Sequence, residues 1–149
     1  MPLPAHLPEP SGPVLTLSLS SCRAGRLVIA RGELDMSTTH LLTELVDQLV
    51  RRPRTGPPQL ILDLTGVTFF CAAGVNALLT VQHTLRERSV RLLLCGLSPR
   101  VQRILDITGD RTRFDIRPVA EALDAPHTDS LRVRSTVGVT TAQAGRRGG

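Results

Sequence analysis

Residues 14–124 alternate between short apolar segments with a strand-like pattern and longer segments with helical spacing. Residues 14–20 place leucine at every second position, which is typical of a strand with one buried face. Residues 41–50 instead repeat apolar side chains every three or four positions, as an amphipathic helix does. Regular alternation of this kind predicts a mostly parallel sheet packed by crossover helices. The chain is therefore restricted to the α/β class.

The patterns along the chain predict the element order β-β-α-β-α-β-α-β-α within one domain. The first two strands, residues 14–20 and 27–30, are separated by a short turn and are expected to form an antiparallel hairpin. The later strands each follow a helix and are expected to be parallel. The prediction is a single mixed, mostly parallel sheet of about five strands, and the pattern leaves the order of the strands open.

The third predicted helix has clear signals at both of its ends. Ser98 is a favoured N-cap residue, and Pro99 is favoured at the first helical position. Gly109 follows Thr108, the last position of the helical pattern, and is placed to adopt the left-handed conformation that ends many helices. We therefore predict a helix that begins after Ser98 and ends at Gly109.

Both ends of the chain differ in composition from the patterned middle. Residues 1–13 are rich in proline, and we predict a disordered N-terminal segment. Residues 125–149 are rich in Arg, Gly, Ser and Thr and are predicted to be a flexible tail, with a marginal edge strand within 130–139 as the alternative. The predicted folded domain is thus residues 14–124.

Composition argues against several classes of function. Aromatic residues make up only 2% of the chain, which disfavours stacking of bases or sugars, and the net charge of +5 comes from dispersed arginines. The phosphate-binding loops, zinc-protease motif and nucleophile elbow of common enzymes are absent. Three cysteines without paired spacing indicate free thiols in a reducing compartment. We expect a cytoplasmic protein that is not an enzyme and has no metal, cofactor, nucleic-acid or membrane partner.

Several short motifs, in order and at matching spacing, resemble those of STAS domains. Residues 31–35 read Arg-Gly-Glu-Leu-Asp and resemble the G-E-L-D signature at the end of the second strand. Residues 62–69 resemble the third strand of that family, Gly74 resembles the start of its central helix, and residues 95–101 with Gly109 resemble its fourth strand and third helix. The resemblance covers residues 14–124 and implies the STAS fold.

The resemblance also implies a function. STAS proteins of this kind are anti-sigma factor antagonists, which bind an anti-sigma factor and so release a sigma factor. Their partner is usually a serine kinase with a histidine-kinase-like ATPase fold, and it phosphorylates the serine of an Asp-Ser-x-Gly sequence. This chain has Cys71-Ala72-Ala73-Gly74 at those positions, so alanine replaces the phosphoacceptor. We therefore expect a regulatory binding protein that the usual kinase cannot switch off.

The same resemblance implies where a partner binds. The predicted contact residues lie at the start of the first helix and at the start of the second; they are Glu33, Asp35, Ser37, Cys71, Ala72, Ala73, Gly74 and Asn76.

Three alternatives stay open at this point. One is a STAS scaffold subunit of a stress-signalling complex. Another is a redox-responsive switch at Cys71, because a helix N-terminus favours a thiolate. The last is nucleic-acid binding through the arginines of the tail.

Overall fold

A computed structural model describes residues 14–54, 56–122 and 133–136. They form one six-stranded mixed sheet with the order β5-β4-β3-β2-β1-β6. The strands are β1 (Leu15–Cys22), β2 (Gly25–Leu34), β3 (Gln59–Phe70), β4 (Arg91–Cys95), β5 (Asp115–Arg117) and β6 (Val133–Thr136). Strands β2 to β5 run parallel, and β1 is antiparallel to both of its neighbours. The predicted α/β class and element order are confirmed.

Four helices accompany the sheet: α1 (Thr39–Val50), α2 (Ala72–Arg86), α3 (Pro99–Thr108) and α4 (Val119–Ala122). Helices α1, α2 and α3 each connect one parallel strand to the next. Their apolar side chains share one buried cluster with alternate residues of the strands, so all three cover the same face. Helix α4 contributes Ala122 to a smaller cluster on the opposite face. Both clusters consist of aliphatic side chains with few aromatic ones, as the composition requires.

Strand β3 is longer than its apolar pattern predicts. The pattern indicates a strand over residues 60–64, whereas β3 extends through Phe70. Beyond Asp63 the ladder with β2 shifts register twice, between Ile29 and Arg31 and between Gly32 and Glu33. Each shift breaks the two-residue period that reveals a strand in a sequence, although the backbone pairing continues.

Four residues of the segment predicted as a flexible tail form β6, which pairs with β1 at the edge of the sheet. They lie inside the run that the sequence offered as an alternative edge strand. The sheet therefore has one strand more than the five or so expected. The predicted disorder of residues 1–13 and of the remaining tail lies outside the described residues.

Helix α3 has the predicted ends. The Ser98 hydroxyl accepts a hydrogen bond from the backbone N–H of Val101 at 3.3 Å, and Pro99 is the first helical residue. Gly109 has φ of 77°, and its N–H donates to the carbonyl of Asp106 at 3.1 Å. Both caps are confirmed because each depends on only a few neighbouring residues.

Candidate functional site

The ends of β2 and β3 bring the predicted contact residues to one end of the sheet. Glu33 pairs with Phe69 and Leu34 with Phe70 in the parallel ladder, so the chain leaves both strands side by side. Helices α1 and α2 begin directly after these ends. The acidic residues near α1 and the small residues at the start of α2 are therefore neighbours, although they are far apart in the sequence.

The turn between β2 and α1 is held by Thr38, which sequence analysis missed. Its side chain is 2% exposed, and it is the one buried polar side chain among the described residues. The hydroxyl donates to the carbonyl of Glu33 at 2.7 Å and accepts from the N–H of Asp35 at 3.0 Å. One hydroxyl thus satisfies a donor and an acceptor of the backbone, which would otherwise be costly to bury.

We expect Thr38→Val to destabilise the protein by about 2 kcal/mol, because the isosteric side chain leaves two partly buried backbone groups without partners. Urea unfolding measures the free energy directly. Thr43→Val is the matched control, since the exposed Thr43 hydroxyl only donates to the carbonyl of His40 within α1, and its loss should cost less than about 0.5 kcal/mol. Equal losses in the two variants would contradict this role for Thr38.

Neither Asp35 nor Ser37 caps α1, although both residue types are favoured at the N-cap position. The N-cap residue is Thr38, and its side chain makes no capping hydrogen bond to the helix because it is engaged in the preceding turn. The Asp35 carboxylate instead accepts hydrogen bonds from the Ser37 hydroxyl and N–H, both at 2.8 Å. The Ser37 hydroxyl, more than any other contact, lowers the pKa of Asp35. Asp35 is therefore a fixed negative charge at the start of α1.

Helix α2 begins without a side-chain cap. Cys71 is the N-cap residue in an extended conformation, and its carbonyl accepts from the N–H of Gly74 at 2.8 Å. Its half-buried thiol points back to the sheet and donates to the carbonyl of Leu34 at 3.8 Å. Ala72 and Asn76 are exposed, and Ala73 is half-buried. The first turn of α2 therefore presents small uncharged side chains to solvent.

Gly74 is buried, and its place in the site is different from that of its neighbours. A Cβ atom there would lie 2.5 Å from the ring of Phe70, closer than any real contact of this kind. The glycine therefore lets the aromatic ring pack beneath the first turn of α2. We treat it as a residue that shapes the site from below, not as part of the exposed surface.

Two exposed apolar side chains at this end of the molecule were not predicted. Met36 is 82% exposed in the turn before α1, and Phe69 is 41% exposed at the end of β3. Neighbouring side chains of a strand face opposite sides, and Phe70 faces the core, so the side chain of Phe69 faces away from it. We define the tip surface as nine exposed or half-exposed residues chosen around the ends of β2 and β3 and the start of α2: Glu33, Asp35, Met36, Ser37, Phe69, Cys71, Ala72, Ala73 and Asn76.

Within the described residues, no group of three or more His, Cys, Asp or Glu side chains is arranged to hold a metal ion. Burial, with smaller contributions from Asp63 and Cys22, raises the pKa of the Cys95 thiol to about 12, so it stays protonated at neutral pH. No helix in the described ranges is both long and apolar enough to cross a bilayer.

A family model and several known proteins match most of the chain. The STAS domain model matches residues 24–123. The anti-sigma-B factor antagonist of Listeria monocytogenes is 30% identical over 92 residues, which cover 62% of this chain and 78% of the relative. The anti-sigma F factor antagonist of Paenibacillus polymyxa is 24% identical over 105 residues, covering 70% and 86%. The crystal structure of an anti-sigma factor antagonist from Mycobacterium paratuberculosis has a TM-score of 0.65 at 24% identity, covering 79% of this chain and 97% of that one.

Proposed function

This chain belongs to the STAS domain family, as the motifs predicted, and we propose that it binds an anti-sigma factor through its tip surface. Binding would withdraw the anti-sigma factor from its sigma factor and so permit transcription. The partner we propose is an anti-sigma factor with a histidine-kinase-like ATPase fold. The chain acts by binding in this proposal and catalyses no reaction of its own.

One observation supports this role above all others. Met36, in the turn before α1, and Phe69, near the end of β3, expose apolar area at the end of the sheet where α2 begins. Apolar side chains surrounded by polar ones are typical of surfaces that bind another protein. Because Ala72 and Ala73 are small, a partner can approach the backbone of α2 closely at this point.

The charge of the tip surface fits the same role. Glu33 and Asp35 are its only ionisable groups apart from the Cys71 thiol, so the surface is acidic although the whole chain carries a net charge of +5. Asp35 is held in place by Ser37 and does not have to be ordered on binding. We expect a partner with a basic rim around an apolar centre, since such complementarity favours fast and specific association.

The hypothesis is tested with purified proteins. Each anti-sigma factor of this ATPase class from the native cell is titrated with the chain by calorimetry. We expect one of them to bind, and the addition of the chain should release its sigma factor in a gel-filtration assay. Met36→Ser and Phe69→Ser should weaken that binding, whereas Ile107→Ser, an exposed apolar residue of α3 outside the tip surface, should not. Loss of affinity in the Ile107 variant alone would show that the interface lies outside the tip surface.

We further propose that the usual phosphorylation switch of the family is missing from this tip surface. Ala72 has no hydroxyl, and the hydroxyls of Thr68 and Thr80 donate to the carbonyls of Gly32 and Asn76. A phosphate would add about −1.5 to −2 charges to the surface at neutral pH. Without a hydroxyl at position 72, no phosphate can be added at the start of α2, whatever the activity of the kinase.

We expect no phosphate on the chain after incubation with its anti-sigma kinase and ATP, as measured by intact-mass spectrometry. Ala72→Ser, combined with Cys71→Asp to restore the motif of the family, should accept one phosphate per molecule. Thr80→Ala in the native background controls for modification further along α2. Stoichiometric phosphate on the native chain would contradict the loss of the switch without affecting the binding proposal.

The alternatives remain predictions with distinct tests. A scaffold role predicts that the chain purifies with a large kinase–phosphatase assembly instead of a single anti-sigma factor. A redox role predicts that oxidation of Cys71 changes partner affinity and that Cys71→Ser abolishes the change. Nucleic-acid binding through the tail predicts that any such binding is lost when residues 125–149 are deleted; apart from 133–136, these residues lie outside the described part of the chain.

A further inference from the structure

A cavity of about 350 Å³ lies at the end of the domain opposite the tip surface. It is bounded by the C-terminal ends of α1 and α2 and by the first residues of β2 and β3. Its size is within the range of cavities that hold small molecules. The apolar part of its wall is aliphatic and comes from Leu49, Val50, Leu60, Leu85 and Val90.

Four arginines line this cavity: Arg26, Arg52, Arg54 and Arg88. Two of them have a structural role at the end of α1, where carbonyl groups lack helical partners. Arg26 donates to the carbonyls of Leu49 and Pro53, both at 3.1 Å, and Arg88 donates to the carbonyl of Val50 at 3.1 Å. Because a guanidinium has five N–H groups, both side chains keep donors that these carbonyls do not use.

The other two arginines, Arg52 and Arg54, have no such structural role in the described residues. In the described ranges, neither Arg52 nor Arg54 forms a salt bridge, and no Asp or Glu lines the cavity. Burial lowers the pKa of Arg26, and the positive charges of Arg52 and Arg54 lower it further. The cavity therefore gathers positive charge with no carboxylate to balance it, and an anion would relieve this repulsion.

The wall determines which anions fit. Guanidinium groups bind carboxylate and phosphate oxygens in a bidentate manner, which favours these two headgroups. Much of the remaining wall is aliphatic, with Ser21, Cys22 and Gln59 also lining it, and none of the lining residues is aromatic, so there is no ring on which a nucleobase could stack. A ligand with an anionic head and a short aliphatic body complements both parts.

We propose that this cavity is a binding site for an aliphatic organic anion with a phosphate or carboxylate headgroup. The site is separate from the tip surface, and α1 and α2 connect the two ends. The proposal does not depend on the identity of the protein partner, so it can fail or succeed independently of the anti-sigma function.

The test uses the full chain and four probes: hexyl phosphate, hexanoate, inorganic phosphate and 1-hexanol. Calorimetry and backbone amide NMR measure affinity and location. We expect saturable binding of one molecule of hexyl phosphate or hexanoate, with shifts at Gly25, Gly56 and Gln59, which line the cavity. The tighter of the two identifies the headgroup. Inorganic phosphate and 1-hexanol should each bind at least about tenfold more weakly, since each lacks one half of the complementary chemistry.

Matched variants assign the site. Arg52→Ala with Arg54→Ala removes two exposed arginines from the cavity and should weaken binding by about tenfold or more. Arg100→Ala with Arg103→Ala removes the same charge from the exposed face of α3 and should leave affinity within about twofold. Thermal unfolding establishes that both variants fold. Absence of saturable binding for both hexyl anions would overturn the proposal, as would equal weakening in the two double variants.

Discussion

Replacement of Ala72 by glutamate is expected to weaken the complex with the anti-sigma factor by about a hundredfold or more. The side chain of Ala72 is exposed at the start of α2 and belongs to the tip surface. A carboxylate there would lose its water on binding without a partner to pair with, and burial of an unpaired charge costs several kcal/mol. A loss of about 2.8 kcal/mol already corresponds to a hundredfold change in the dissociation constant.

The substitution should leave the fold intact. The first turn of α2 contains no acidic residue, and a negative charge near a helix N-terminus is stabilising. Thr80→Glu is the matched control, because it adds the same charge at an exposed position two turns further along the same helix. Calorimetry against the anti-sigma factor should show an affinity within about threefold of the native chain for this control, since exposed charges outside an interface are screened. Equal affinity for Ala72→Glu and the native chain would place the interface elsewhere.

The second large effect concerns stability, at Gly32 of the G-E-L-D motif. Its φ is +110°, where side chains other than that of glycine are strained, and a Cβ atom would collide with the carbonyl oxygen of Val14. The N–H of Glu33 donates to that same carbonyl at 2.9 Å, so β1 cannot move away freely. We expect Gly32→Ala to lower the free energy of unfolding by about 3 kcal/mol or more, from backbone strain and steric overlap together.

Gly109→Ala separates these two causes. Gly109 also has positive φ, at +77°, but no atom lies within 4 Å of the position a Cβ atom would take. Its replacement should cost only the strain of the left-handed conformation, about 1 kcal/mol. Urea unfolding of both variants measures the difference. A loss at Gly32 no larger than that at Gly109 would show that the contact with Val14 is easily relaxed.

The tip surface combines residues that sequence analysis could and could not identify. The motifs around Gly32 and Gly74 predicted that the starts of α1 and α2 form one site, and the structure brings these segments together. Thr38 was missed because nothing in its neighbours distinguishes a buried hydroxyl from an exposed one. Its role appears only when β2 and α1 are packed and two backbone groups are removed from water.

The order of strands and helices along the chain, and the two ends of α3, followed from the sequence alone. Those features depend on the period of apolar residues and on hydrogen bonds between residues three or four positions apart, such as that between Ser98 and Val101. Such local interactions are encoded in any short window of the chain.

Features that depend on distant parts of the chain were decided only by the tertiary structure. They include the order of the strands within the sheet, the extension of β3 along β2 through two register shifts, and the addition of β6 to the edge of the sheet. They also include the cavity that gathers Arg26, Arg52, Arg54 and Arg88 from three separate segments. Each requires residues far apart in sequence to meet, and the side-chain pattern of one segment carries no record of which other segment packs against it.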